Sequence, residues 1–288
     1  MIRPINIIKQ KRMTHMEYVE QQFYYHNDQE QSTDSLQPFE QLTGKNVYEV
    51  IRVREGIPLF LEDHLRRFRS SALSVGIPLT DSDDILINRL YQLVAINDVS
   101  DQNIKLIWNK DIGLLAFFTK SPYPPESYYQ NGMKTTLLKL EREDPNIKIQ
   151  REEYQKIVLA EREKTGSYEV LLVDQENNVT EGSRSNLFIV KEDKLYTSPA
   201  KTVLLGIVRS KVVAICEQQQ IPIIEQNIPV AELHTIDGAF ISGTGNDVLP
   251  IASIDSITLD STKNPVVSTI MREYDRLVKQ YITSKKDA

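Results

Sequence analysis

A lysine and a glutamate 33 positions apart have surroundings in the sequence that could support chemistry. Glu181 stands in the stretch NVTEGSRSNLFIV, ahead of an apolar, β-branched-rich run that is typical of a buried strand. Lys148 lies between two isoleucines in NIKIQ, just before a helical pattern. Burial disfavours the ammonium form of a lysine, which leaves a nucleophilic amine that also acts as a base. Taken singly, such residues are more often solvated, so their meaning depends on the rest of the pattern.

The common signatures of other chemistries are missing from the sequence. Gly182 and Ser183 do not belong to a G-x-S-x-G nucleophile elbow, since Arg184, Ser185 and Asn186 follow them. A Walker A loop and a glycine-rich dinucleotide fingerprint are both absent. One cysteine and four scattered histidines give zinc little support, so no metal site is expected.

Composition and charge are those of an ordinary globular protein. The chain has 288 residues, of which 40% are hydrophobic and 26% charged. A formal net charge of -6 gives no basic surface for nucleic acid. The lone Cys216 cannot form an intrachain disulfide. Because neither a membrane span nor a signal peptide is evident, we expect a cytoplasmic protein that binds no membrane.

The first half of the chain is predicted to be α+β. Residues 47–54 read as a strand, followed by a turn, a second short strand and a helix with apolar residues at helical spacing over 65–75. A second helix with an acidic first turn and a hairpin around residues 109–113 come next.

Three prolines within residues 121–127 predict a domain boundary. Beyond it the pattern predicts a strand, a helix closed by Gly166, consecutive strands, a helix that opens directly after Gly206, and a C-terminal helix. The expected segments are a loosely ordered extension (1–16), an N-terminal α/β domain (17–121), a linker (122–132) and a C-terminal α/β domain that carries Lys148 (133–288).

Several segments, taken in order, carry a resemblance to a known family. They are VYEVIRV, FLEDHLRRF, NIK, SYEVLLVD with NVTEGSRSNLFIV, LLGIVRS and ISGTGNDVLP, and the match runs from about Val47 to Asp255. Together they resemble the fold-type IV pyridoxal-phosphate enzymes, which comprise branched-chain aminotransferases, D-amino-acid aminotransferases and 4-amino-4-deoxychorismate lyases. The resemblance implies a two-domain α/β fold of mixed sheets with flanking helices, pyridoxal 5'-phosphate as cofactor and a homodimer.

Three charged residues match the family's cofactor-binding positions. Lys148 matches the lysine that forms the Schiff base. Glu181 matches the glutamate beside the pyridine nitrogen, where a carboxylate keeps the nitrogen protonated so that the ring draws electrons from the substrate. Arg67 matches the arginine that binds the phosphate.

Two further segments match the family's phosphate-binding elements. Gly206 leads Ile207 and Val208 into a helix whose first N–H groups are unpaired and suited to an anion. The family usually has threonine where Val208 stands, so one hydroxyl contact is expected to be lost. Thr244 and Gly245 match a second phosphate-binding turn.

Substrate-binding residues are less sharply defined by the sequence. Tyr48 matches the tyrosine that lines the family's substrate pocket. Arg52 shares its strand face and could bind a substrate carboxylate, but an edge-strand cation in solvent is an equal alternative. The hairpin LIWNKDIGLLAFF lacks the arginine and histidine with which the D-amino-acid enzymes bind a carboxylate. Val50 stands where bacterial lyases resemble one another in having threonine.

These departures favour a ping-pong aminotransferase that acts between an L-amino acid, possibly a branched-chain one, and a 2-oxo acid. A 4-amino-4-deoxychorismate lyase, which shares the cofactor and the fold, stays open as an alternative. A non-catalytic binding protein on the same fold is a more remote one.

Overall fold

The computed structural model describes residues 11–12 and 18–287. The extension expected over residues 1–16 therefore lies outside the described residues, except for Lys11–Arg12, which form a short strand. The described chain divides into two compact units. Unit 1 holds the residues up to Pro122, Lys148–Gln150 and those from Ile282 onward, and unit 2 holds Tyr123–Ile147 and Arg151–Tyr281.

Unit 1 is built on a seven-stranded antiparallel sheet. Its strands are β1 (Lys11–Arg12), β2 (Tyr18–His26), β3 (Gln29–Ser32), β4 (Asn46–Arg54), β5 (Ile57–Pro58), β6 (Asp101–Asn109) and β7 (Gly113–Thr119). Its helices are α1 (Gln37–Glu40), α2 (Leu61–Ser74) and α3 (Asp83–Asn97). The strand order is β1-β2-β7-β6-β4-β5, with β3 paired to β2. The strand, helices and hairpin predicted for this half are confirmed.

The core of unit 1 follows from the two-residue period of β4. Val47, Ile51 and Val53 are fully buried and share one hydrophobic cluster with apolar residues of α2 and α3. By the same period Glu49 lies on this core-facing side, and it too has no exposed surface. A charged side chain at such a position needs partners, which are described below.

Unit 2 is built on a ten-stranded mixed sheet. Its strands are β8 (Met133–Lys139), β9 (Glu169–Val173), β10 (Asn178–Gly182), β11 (Asn186–Lys191), β12 (Lys194–Thr197), β13 (Ile223–Glu225), β14 (Ile228–Pro229), β15 (Gly238–Gly243), β16 (Asp247–Ile254) and β17 (Ile257–Thr258). Its helices are α4 (Glu126–Asn131), α5 (Glu152–Thr165), α6 (Ile207–Gln218) and α7 (Pro265–Lys286), the last of which continues into the residues grouped with unit 1. The order is β13-β12-β11-β15-β16-β8-β9-β10-β14, with β17 on β16.

Unit 2 has two local features beyond the sequence-based expectation. Residues 178–182 form β10, because they pair with β9 and β14. Residues 126–131, which fall in the expected linker, form α4.

Residues 148–150 belong to unit 1, although the lysine was expected in the C-terminal domain. The cause is a short pairing with β4. The Tyr48 N–H donates to the Lys148 carbonyl at 3.0 Å, and the Gln150 N–H donates to the Asn46 carbonyl at 3.0 Å.

Among the described residues, no helix is long and apolar enough to cross a membrane.

Two leucines of α2 test this packing directly. Leu65 is fully buried and Leu73 is 68% exposed. We expect Leu65→Ala to lower the free energy of unfolding by about 2 to 5 kcal/mol, because it leaves a cavity in the core. Leu73→Ala, the same change on the same helix, should alter it by less than about 0.5 kcal/mol. Urea denaturation of both variants provides the measurement, and equal effects would contradict the assigned core.

Candidate active site

The amine of Lys148 lies beside an aromatic ring in unit 1. Its Nζ is 4.9 Å from the centroid of the Tyr48 ring, and Nζ of Lys105 is 5.1 Å from the same centroid. The Lys148 side chain is half-buried, and its backbone N–H donates to Ser71 Oγ at 3.3 Å. The pairing with β4 thus fixes the backbone of the lysine next to the tyrosine predicted to line the substrate pocket.

A buried carboxylate, Glu49, binds the predicted phosphate arginine. Arg67 donates to the two oxygens of Glu49, from Nε at 2.9 Å and from Nη2 at 2.6 Å. His64 Nδ1 lies 3.1 Å from Glu49 Oε1. Burial alone would raise the pKa of Glu49, but the charges of Arg67, His64 and Lys148 hold that pKa well below its ordinary range. Burial also lowers the pKa of His64, against the opposing pull of Glu49.

Glu49 and His64 were missed by sequence reasoning. The signal in the sequence was a charged residue at a core-facing position, since Glu49 lies on the same face of β4 as Val47 and Ile51. The bidentate contact holds the guanidinium of Arg67 in one orientation.

Glu181 is buried in unit 2 and does not face solvent. It lies near the end of β10 and is 2% exposed, so the alternative of a solvated turn residue is wrong. Arg142 Nε is 3.3 Å from Glu181 Oε1, and the Leu204 N–H donates to Oε2 at 3.2 Å. These two contacts fix the direction of the carboxylate.

The small residues after Glu181 are explained by a second buried carboxylate, Glu169. Ser183 Oγ donates to Glu169 Oε1 at 2.5 Å, and Ser185 Oγ donates to Oε2 at 3.0 Å. A Cβ atom at Gly182 would collide with Ser185 Oγ. The glycine thus leaves space for Ser185, and the two serines bind Glu169.

Asn186 links this turn to the start of helix α6. Its Nδ2 donates to the Leu204 carbonyl at 2.7 Å, and a Cβ atom at Gly206 would collide with its Oδ1. Gly206 is the N-cap residue of α6 and provides no side-chain cap. The N–H groups of the first turn, which include those of Ile207 and Val208, thus have no side-chain capping partner.

Arg142 and Tyr154 were also missed, and no motif in the sequence marks them. Arg142 Nη2 donates to the Ser183 carbonyl at 2.9 Å and to Tyr154 Oη at 3.2 Å. Tyr154 Oη donates to the same carbonyl at 2.9 Å. Burial raises the pKa of Tyr154 to about 12, so the phenol remains a proton donor at neutral pH.

The donors in unit 2 fit a phosphate group. The start of α6 offers N–H groups and the positive end of a helix dipole. Thr244 and Gly245 are half-buried in the turn between β15 and β16. Ser242 is 1% exposed, and its Oγ is one of the few buried side-chain atoms in the described part of the chain that have no hydrogen-bond partner. Such an orphaned hydroxyl suits a site that receives a polar ligand.

Arg52, the predicted carboxylate-binding residue, is not a solvated edge cation. It is 8% exposed, and its Nη2 lies 3.5 Å from Asp101 Oδ1.

The structure groups the predicted site residues by unit. Unit 1 holds Lys148, Tyr48, Arg52 and Arg67; unit 2 holds Glu181, Gly206, Ile207, Val208, Thr244 and Gly245.

A lysine that can form a Schiff base and a buried carboxylate that can pair with a pyridine nitrogen are groups that pyridoxal-phosphate enzymes use. The family model for amino-transferase class IV matches residues 46–254. The chain therefore belongs to the class IV aminotransferase family, whose members are pyridoxal-phosphate-dependent enzymes.

Relatives with different substrates share this family. The chain is 32% identical over 232 residues to a D-alanine aminotransferase of Bacillus licheniformis, covering 76% of this chain and 82% of the relative. It is 26% identical over 259 residues to a branched-chain-amino-acid aminotransferase of Pseudomonas aeruginosa, covering 82% and 84%. The pyridoxal-phosphate form of a branched-chain aminotransferase from Thermobaculum terrenum has the same fold, with a TM-score of 0.76, 22% identity and coverage of 91% and 95%.

The charge of Glu49 should stabilise the fold in a pH-dependent way. We expect Glu49→Gln to destabilise the protein at pH 7 by about 3 kcal/mol, because Arg67 loses its buried partner. The folded-state pKa of Glu49 lies below its ordinary value of 4.5, so this stabilisation is complete above that pH. As the pH falls below 4.5, the difference between the two proteins should shrink by about 1.4 kcal/mol per pH unit.

Urea unfolding at pH 7 and pH 3.5 measures this difference. Glu62→Gln provides the control, since Glu62 is exposed and its surface pair with Lys285 should contribute less than about 1 kcal/mol. If the difference in free energy of unfolding between Glu49→Gln and the unmodified protein does not change with pH, Glu49 does not carry the assigned negative charge.

Proposed function

We propose that this protein is an aminotransferase that uses pyridoxal 5'-phosphate to move an amino group between an aliphatic, branched-chain L-amino acid and a 2-oxo acid. Two residues, each described in its own unit, carry the proposal together with the family match. Lys148 in unit 1 lies beside the Tyr48 ring, and Glu181 in unit 2 is buried with Arg142 as its ionic partner.

The residues of the chain fit the cofactor part by part. Lys148 would hold the cofactor through its amine, and Glu181 would place a carboxylate at the pyridine nitrogen. Arg67 contributes a cation for the phosphate. When bound, the cofactor draws electrons from the substrate's Cα–H bond.

The remaining phosphate donors come from two glycine-containing turns. Gly206, Ile207 and Val208 offer the N–H groups of the first turn of α6, and Thr244 with Gly245 offers a hydroxyl and a flexible backbone. Val208 contributes only its N–H group, because its apolar side chain is buried.

Lys148 also moves the substrate proton. With the cofactor bound, the free amine of Lys148 would be a base beside the substrate's Cα and would carry the Cα proton. The reverse sequence with a second oxo acid completes a ping-pong cycle.

The hairpin of β6 and β7 supports an L-amino acid as the substrate. Strand β7, the second strand of the hairpin, reads GLLAFFT and carries no arginine or histidine. Arg52 is the candidate cation for the substrate carboxylate, and the resemblance also favours a homodimer.

A second candidate function, D-alanine aminotransferase, is favoured by the identity of 32% to the Bacillus licheniformis enzyme. The lyase alternative rests on the resemblance alone.

The first test removes the proposed catalytic amine. We expect Lys148→Ala to lose the absorption band of lysine-bound cofactor near the visible edge and to lower the rate of amino transfer by about 10³-fold or more, because both the covalent link and the base are lost. The exposed Lys156, changed to alanine, should retain the band and the rate. A Lys148→Ala protein with normal turnover would refute the proposal.

The second test identifies the amino donor. The purified protein is mixed with L-valine, L-leucine, D-alanine or 4-amino-4-deoxychorismate, and the change of the cofactor band is followed. We expect the branched-chain L-amino acids to shift the band fastest. A shift with D-alanine alone would replace the proposal by the second candidate, and release of pyruvate from the chorismate derivative would identify a lyase.

A further inference from the structure

Glu169 is a fully buried carboxylate that the proposed chemistry does not use. It is the first residue of β9 and has no exposed surface. Besides the hydroxyls of Ser183 and Ser185, the Val170 N–H donates to its Oε1 at 2.9 Å. Burying a carboxylate is costly unless donors surround it, and three donors surround Glu169.

The contacts of Glu169 lead through Ser183 to Glu181. The Ser183 hydroxyl donates to Glu169, while the Ser183 carbonyl accepts from Arg142 Nη2 at 2.9 Å. The same guanidinium lies 3.3 Å from Glu181 Oε1 through its Nε. A shift of Ser183 would therefore move Arg142, and Arg142 is the partner that directs the Glu181 carboxylate.

The preceding residue, Tyr168, holds the other turn. Tyr168 Oη donates to Asn246 Oδ1 at 2.8 Å, and Tyr129 Oη donates to the Asn246 carbonyl at 3.2 Å. Asn246 is 5% exposed and directly follows Thr244 and Gly245. Burial raises the pKa of Tyr168 to about 12, so its hydroxyl donates throughout the neutral range.

The two turns are also neighbours. A Cβ atom at Gly243 would lie 3.2 Å from the Arg184 carbonyl, and Ser242 pairs with Asn186 between β15 and β11. Two consecutive residues at the start of β9 thus bind two adjacent turns, each through a side chain.

We propose that Tyr168 and Glu169 are positioning residues for the cofactor. Glu169 holds the Gly182–Ser185 turn so that Glu181 is directed at the pyridine nitrogen, and Tyr168 holds the 244–246 turn so that it receives the phosphate. This inference rests on the proposed function. It assigns separate effects to the two residues, because one acts on the ring and the other on the phosphate.

The test uses variants that preserve packing, each in the full-length chain. Ser183→Ala and Glu169→Gln weaken the link to Glu181, and Tyr168→Phe removes only the hydroxyl that binds Asn246. Ser198→Ala is the control for the serine, since Ser198 is a buried serine of the same unit whose Oγ donates to the Val179 carbonyl at 3.1 Å. Tyr24→Phe is the control for the tyrosine, since Tyr24 Oη donates to the Ser35 carbonyl at 3.1 Å in unit 1.

Two readouts separate the expected effects. The first is the pH titration of the bound cofactor's absorption band together with kcat at saturating cofactor. The second is the ratio of the Kd values for pyridoxal and pyridoxal 5'-phosphate, which reports on the phosphate alone.

We expect Ser183→Ala and Glu169→Gln to shift the pH titration of the absorption band and to lower kcat by about 10-fold, because each weakens hydrogen bonds to a charged group. The ratio of the two Kd values should not change. Tyr168→Phe should raise the Kd for pyridoxal 5'-phosphate by about 5-fold and leave the Kd for pyridoxal unchanged. The pH titration of the absorption band should stay the same. Both controls should match the unmodified protein.

Other outcomes overturn the inference. If the unmodified protein binds the cofactor and reacts, but the variants are unaffected, the positioning roles are refuted while the proposed function stands. If every variant lowers kcat and cofactor affinity equally and also lowers the Tm, Tyr168 and Glu169 are purely structural residues, and the inference is refuted. If the unmodified protein gives no cofactor band, the proposed function itself fails.

Discussion

A carboxylate buried in a protein must be matched by cations or hydrogen-bond donors, and each unit of this chain is arranged around such a group. In unit 1, Glu49 occupies a core-facing position of β4 and binds Arg67 from α2. In unit 2, Glu181 is matched by Arg142 and by the Leu204 N–H. The partners of these carboxylates come from loops and a helix, so the need to satisfy them fixes segments that the sheets alone would leave free.

The same constraint accounts for the composition of the T-E-G-S-x-S-N segment. The serines satisfy Glu169, the glycine leaves space for Ser185 Oγ, and Asn186 holds the carbonyl that precedes α6. Only the glutamate of the segment is proposed to contact the cofactor. Its neighbours determine where that glutamate lies.

Much of the fold and part of the site could be predicted from the sequence. The strand β4, the hairpin of β6 and β7, and the helix after Gly206 follow from apolar periodicity and from glycine positions. The family was identified from the Glu181 segment and its spacing from Lys148. These features are local, and for that reason a single sequence reveals them.

The parts that were missed depend on contacts between distant residues. The pairing of residues 148–150 with β4, which places the lysine in unit 1, joins segments about 100 positions apart and leaves no periodic signal. Glu49 and Glu169 lie in segments that read as ordinary strands, and the side chains that bind them lie on other elements. Arg142 and Tyr154 belong to no motif, and only the fold brings them to Ser183.

The measurement that tests the central claim most directly is reduction of the cofactor-loaded protein with borohydride, followed by peptide mapping with mass spectrometry. This treatment makes the bond between the cofactor and its lysine permanent, so it identifies the lysine without depending on activity or on knowledge of the substrate. The account predicts a single pyridoxyl-phosphate adduct, located on Lys148. An adduct on Lys105 or on another lysine, or a protein that remains unlabelled after incubation with pyridoxal 5'-phosphate, would contradict it.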